Sequence, residues 1–95
     1  MLASDRMRRS FVWSLATARQ NLAKHDVSFA EALSVFEDPL ARIGDDPEHS
    51  AEERREIIIG QSRVGRLLLV SFTERGEIVR IISAPGSGPR RTQTL

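Results

Sequence analysis

The second half of the chain carries three apolar runs, at residues 56–59, 66–73 and Ile78–Ser83, with only six and four residues between them. A parallel pair needs a crossover of about a dozen residues or more, so gaps this short demand antiparallel hairpins. Both gaps contain glycine, at Gly60, Gly65 and Gly76, where a reversing chain most often needs it. The pattern predicts a three-stranded antiparallel meander with residues 66–73 in the centre. Side chains alternate across a strand, so Arg66, Leu68, Val70 and Phe72 share one face and Leu67, Leu69, Ser71 and Thr73 the other. Both faces are substantially apolar. One can lie on helices; the second also needs a cover, and nothing apolar between Pro85 and Thr94 could supply it. The expectation is an oligomer or a partner-bound protein, held through Ile78–Ser83 or the face beside it.

The first half supplies the helices. "FVW" at residues 11–13 reads as a short strand, and Ser14 can cap a helix running to Lys24, with Ala18 and Leu22 on one face and Arg19 outside. Asp26 tolerates the left-handed conformation that ends helices. "SFAE" at residues 28–31 is a capping box, in which the Ser28 hydroxyl and the Glu31 carboxylate satisfy backbone amides. Phe29, Ala32, Leu33 and Phe36 follow at helical spacing, and Pro39 ends the segment. Phe29, Leu33 and Phe36 are expected to be buried against the sheet. An acidic loop, "GDDPEHS", then leads to the strands. The fold class is α+β: two N-terminal helices packed on a meander. Residues 11–84 form the domain, 1–10 a frayed or extended segment, and 85–95 an irregular tail whose prolines and glycines forbid a stable helix.

Ninety-five residues suit one small domain. Without cysteine, neither a disulfide framework nor a thiolate metal site is available. No apolar run is long enough to span a membrane, and no signal segment opens the chain, so the expectation is a soluble, cytoplasmic protein. The net charge of +1 conceals an asymmetry. Residues 26–53 hold nine acidic residues against Arg42 alone, whereas residues 54–95 hold eight arginines against Glu56, Glu74 and Glu77. One half repels phosphate and the other attracts it. All but one of the cationic residues are arginine, whose planar fork grips phosphate in two-pronged fashion. His49 among Asp45, Asp46 and Glu48 is a weak metal signal, and no metal site is expected.

Asn21, Lys24-His25, Val27-Ser28-Phe29, "DDPEHS", "REIIIGQS" and "GRLLLVSFTERGEIVRIISA" occur in that order. Together they resemble the BrnT family of bacterial type II toxins, small ribonucleases with a RelE-like fold, over residues 11–84. The resemblance implies a metal-independent endoribonuclease without cofactor that inhibits translation and growth. It further implies an RNA substrate, neutralisation by a BrnA-like ribbon-helix-helix antitoxin, and contact with operator DNA only through that antitoxin. Ser14 and Asp26 stand where the family has Asp and Gly, both tolerable. After Ala84 the family continues into a basic helix, whereas this chain has Pro85, Gly86, Ser87, Gly88 and Pro89. The final helix is therefore expected to be missing. Residues 91–94 could be read from DNA that encodes Glu-Arg-Lys-Arg in a shifted frame, so the tail reads as a frameshifted remnant. The alternative function is a catalytically degenerate homologue that serves as a binding or corepressor module.

Metal-free RNA cleavage needs a base for the 2′-hydroxyl, an acid for the leaving oxygen and positive charge on the phosphoryl oxygens. Arginine fills the last role and is a poor base. Arg55, Arg75 and Arg80 are assigned to the transition state, with Glu74 as base and Glu56 beside it as a second candidate. Lys24, His25 and Arg66 are assigned to RNA contact, with Lys24 or His25 also able to act as acid. Each has a plainer role: Arg55 and Arg80 as partners of Glu56 or Glu77, Glu74 as a solvated turn residue, His25 as a helix-end group. Trp13 is expected in the core or at an interface, not as a platform for bases.

Overall fold

The computed structural model describes residues 9–46 and 53–86. Five strands and two helices follow the order β1 (Ser10–Val12), α1 (Leu15–His25), α2 (Phe29–Ser34), β2 (Arg42–Asp45), β3 (Glu56–Gln61), β4 (Leu67–Arg75) and β5 (Ile78–Ser83). A 3-10 turn, Val35–Glu37, extends α2. The strands form one sheet in the order β1-β5-β4-β3-β2, so β4 is central as expected. The α+β class holds, but the sheet is larger than the predicted meander. β2 was expected to be part of the acidic loop; it pairs antiparallel with β3, Ile43 opposite Ile58. β1 pairs in parallel with β5, Phe11 opposite Val79. Consequently β5 is flanked on both sides over Ile78–Arg80, which closes that stretch of its edge and leaves the face beside it as the place for the expected contact. The irregular tail and the missing final helix concern residues that lie mostly beyond Gly86, outside the described residues, as do the first eight.

Local chemistry explains the helix ends. Ser14 adopts an extended conformation and its hydroxyl accepts from the Thr17 amide at 3.3 Å. Asp26 closes α1 in the left-handed region, φ 59°, while its amide donates to the Leu22 carbonyl. Ser28 caps α2 by accepting from the Glu31 amide at 3.0 Å. The capping box is only half formed, however, because the Glu31 carboxylate turns away to Ser62 and Arg66. The reversal between β4 and β5 uses Gly76 and Glu77, with Gly76 at φ 59°. A glycine with positive φ at the first central position is what a two-residue type II′ turn favours.

The helices lie on the face of Ile58, Leu68, Val70, Phe72, Val79 and Ile81, all buried. Phe29 and Phe36 are buried beneath them as predicted, whereas Leu33 is half-buried. Phe36 sits edge-on between Phe11 and Phe72, each ring centre 5.1 Å away. Burial of each such side chain contributes roughly 1.5–3 kcal/mol. Leu22, predicted to face the core with Ala18, is half exposed; the buried α1 residue is Asn21. Its amide nitrogen donates to the carbonyls of Val27 and Ala84, and its oxygen accepts from the Ala84 amide. Three backbone groups outside regular structure are thereby satisfied by one side chain.

Close packing also governs Gly60. A Cβ there would lie 2.8 Å from the Ala41 Cβ and 2.9 Å from an Asp38 oxygen. The same Asp38 carboxylate accepts from the Gln61 and Leu40 amides, which hold its pKa below the usual aspartate value. Along β5, Ser83 opposes Ser71 and Ile81 opposes Phe72, leaving Ile82 as an extra residue that bulges the strand.

Asn21→Ala is expected to destabilise the fold by about 2–3 kcal/mol, because it leaves buried amide and carbonyl groups without partners. Equilibrium urea denaturation measures this. Asn21→Asp, which can accept from Ala84 but not donate, should recover only part of the loss.

Candidate functional site

Strand register sorts the charged residues between the two faces of the sheet. Phe72 pairs with Ile81 and Glu74 with Val79, so Glu74 extends the helix-side face. There it meets Arg9, 3.1 Å away. Thr73 and Arg75, paired with Arg80 and Ile78, belong to the outer face. Arg55 immediately precedes β3, where continued register sets it across β4 from Arg80, with Thr73 between. Glu56 follows the alternation of Ile58 onto the helix side. Both carboxylates expected to serve as base are therefore on the wrong face to meet Arg75 and Arg80.

Arg55 and Arg80 do converge. They line one open cleft of about 510 Å³ together with Glu53, Val12, Trp13, and the Ser14 and Thr17 end of α1. The bulge at Ile82 forms part of the same wall. Glu53 is the carboxylate of this cleft, and it holds Arg75 at 3.2 Å. The N-terminus of an 11-residue helix adds partial positive charge and amides directed outward. The Arg80 side chain makes no hydrogen bond or ion pair among the described residues, which leaves its five donors for a ligand. Two guanidinium groups, a helix N-terminus and one carboxylate give the cleft the chemistry of an oxyanion site with a proton acceptor beside it.

The residues assigned to RNA contact lie elsewhere. Lys24 and His25 are exposed at the C-terminal end of α1, about 14–15 Å along its axis from Leu15. Arg66 lies at that end too, donating to the Asp26 carbonyl at 2.9 Å. Its guanidinium forks onto both oxygens of Glu31, which also accepts from the Ser62 hydroxyl at 2.7 Å. Arg66 thus straps the start of α2 to the β3–β4 turn and does not join the arginines of the outer face.

Two site residues were missed. Glu53 was counted only as the last residue of the acidic stretch 26–53, although its place beside Arg54 and Arg55 marked where the basic half begins. Trp13 was assigned to the core or an interface; it packs edge-on to Phe29, 5.9 Å between centres, and keeps enough exposure to line the cleft. Among the described residues no group of three metal-ligating side chains occurs, and no helix is long and apolar enough to cross a membrane.

A five-stranded sheet carrying two short helices, with Arg55 and Arg80 sharing a cleft on its outer face, defines a small α+β protein. The sequence matches the family model described as "Ribonuclease toxin, BrnT, of type II toxin-antitoxin system" over residues 13–86, and the chain belongs to that family. Its fold resembles the crystal structure of the Brucella abortus ribonuclease toxin BrnT, with a TM-score of 0.67 and 20% identity, over 85% of this chain and 99% of that one. A comparison with curated protein sequences finds no match.

The Glu31–Arg66 fork carries a pH signature. The hydrogen bond from Arg66, then that from Ser62, hold the Glu31 carboxyl below its usual value against the opposing effect of burial. A carboxyl depressed in the folded state adds stability above its unfolded pKa, and that stability fades as pH falls through the folded value. Wild type should therefore lose stability on acidification from about pH 4.3 downward, and Glu31→Gln should remove this component. Denaturant midpoints of the two proteins, well apart at pH 7, are expected to approach each other below that range.

Proposed function

We propose that this chain is the toxin component of a type II system, a metal-independent endoribonuclease that cuts RNA in the cleft of Arg55 and Arg80. The observation that carries this reading is the convergence of these two guanidinium groups with Glu53 and the α1 N-terminus. A scissile phosphate seated there would have its non-bridging oxygens held by Arg55 and Arg80. Glu53, paired with Arg75, would take the proton of the 2′-hydroxyl as it attacks phosphorus, displacing the 5′-oxygen, which takes a proton from solvent, and leaving a 2′,3′-cyclic phosphate. Trp13 would pack against a neighbouring base. Lys24 and His25, an α1 length away, would contact RNA outside the cleft, and Glu74 is left to its pair with Arg9.

The family places an antitoxin opposite this toxin. We take it to be a BrnA-like ribbon-helix-helix protein that alone contacts operator DNA, and we take the toxin to share the RelE-like architecture, to act in the cytoplasm without cofactor, and to arrest translation and growth.

Partner-free protein incubated with RNA in the presence of a chelator should yield fragments ending in 2′,3′-cyclic phosphate. Arg80→Ala should lower the rate roughly 100-fold with the melting temperature unchanged. Glu53→Gln should lower kcat with the melting temperature unchanged. Absence of cleavage by a folded, antitoxin-binding protein would instead establish the degenerate binding module. Equal losses of melting temperature and activity in Arg80→Ala would return that residue to a structural role.

A further inference from the structure

The outer face of the sheet divides into two halves along the strands. At one end Ile59 and Leu69 oppose each other, with Leu67 next along β4; Ile59 is 40% and Leu67 52% exposed, and exposed Arg42 and Gln61, paired with Ile59 and Leu67, border them. At the other end stand Arg55, Arg75 and Arg80. Between them the register aligns Gly44, Ile57, Ser71 and Ser83, three small residues and a half-buried isoleucine. β3 and β4 have neighbours on both sides, so their backbone groups are already paired and an added strand has nothing to bond. A helix satisfies its own backbone and can lie on such a face.

We propose that the antitoxin docks on this outer face through an amphipathic helix, with apolar residues on Ile59, Leu67 and Leu69 and carboxylates over Arg80 and Arg55. The charge complementarity is specific in place as well as sign. Leu69 and Thr73, the latter beside Arg80, are four residues apart on β4, or about 14 Å, the rise of roughly nine helical residues. An acidic helix spanning that distance would occupy the position of the scissile phosphate, so inhibition would be direct competition for the two arginines. This last step rests on the ribonuclease reading above; the docking surface does not.

The test is titration calorimetry of the full chain with purified cognate antitoxin. Leu67→Glu and Ile59→Glu place a like charge against the helix at exposed positions remote from the cleft. Each should weaken antitoxin binding at least 30-fold while melting temperature and RNA cleavage by the free toxin stay unchanged, and cleavage should then persist in the presence of antitoxin. Labelled RNA oligonucleotide should be displaced from wild type by antitoxin, with binding that weakens as salt rises. Unchanged antitoxin affinity in both folded variants would overturn the surface. Simultaneous binding of RNA and antitoxin would overturn the competition. Should the isolated toxin sediment as a dimer that Leu67→Glu dissociates, with antitoxin binding intact, the face belongs to a second copy and the proposal fails. Loss of antitoxin binding in the variants of a protein that never cuts RNA would uphold the docking surface and refute only the ribonuclease reading.

Discussion

The Asn21 side chain is the tie on which the arrangement depends. Its amide reaches the carbonyl of Val27, just past α1, and both backbone groups of Ala84, just past β5. α1 is thereby fastened to the end of the sheet 63 residues away. The geometry of the cleft follows, since its wall is the first turn of α1 and its floor is the Arg80–Ile82 stretch of β5. A buried amide with every hydrogen bond made is worth more than its net energy, because any displacement of α1 leaves three groups unsatisfied at once. Position, not only stability, is what this residue secures.

A second strap works at the other end of the helices. The Glu31 carboxylate, withdrawn from the capping box it could have completed, binds Arg66 and Ser62 at the β3–β4 turn. The α2 N-terminus gives up one local hydrogen bond and gains a long-range contact between helix and sheet. With half-buried partners and two-pronged geometry this pair exceeds the usual worth of a surface ion pair. The helices are thus held at both ends, and the helix-side face becomes scaffold. On the outer face Arg80 has no ion-pair partner among the described residues, and Glu53 occupies Arg75.

This division sorts the charges of a chain whose net charge is only +1. The arginines on the helix side are spent on carboxylates, Arg9 on Glu74 and Arg66 on Glu31. On the outer face Arg80 makes no ion pair among the described residues and shares a cleft with Arg55, Glu53 and the N-terminus of α1. The same face continues into the exposed side chains of Ile59 and Leu67.

Short-range pattern by itself determined the caps at Ser14 and Ser28, the left-handed stop at Asp26, the three hairpin strands and the burial of Phe29 and Phe36, because each depends on neighbours within a turn or a strand pair. Residue combinations along the chain also made the family legible. β2 was not legible, since an "RIGD" segment with every residue exposed has no apolar alternation to announce it. Nor was the parallel docking of β1, a pairing between residues far apart in sequence. The site was legible as a set of arginines, but its membership was decided by the tertiary structure. Alternation places Glu74 and Arg80 on opposite faces once the β4–β5 register is set, and only folding brings Glu53 and Trp13 into one cleft. A sequence states which charges exist; which of them are neutralised, and which face the same space, depends on register and long-range contacts that local pattern does not encode.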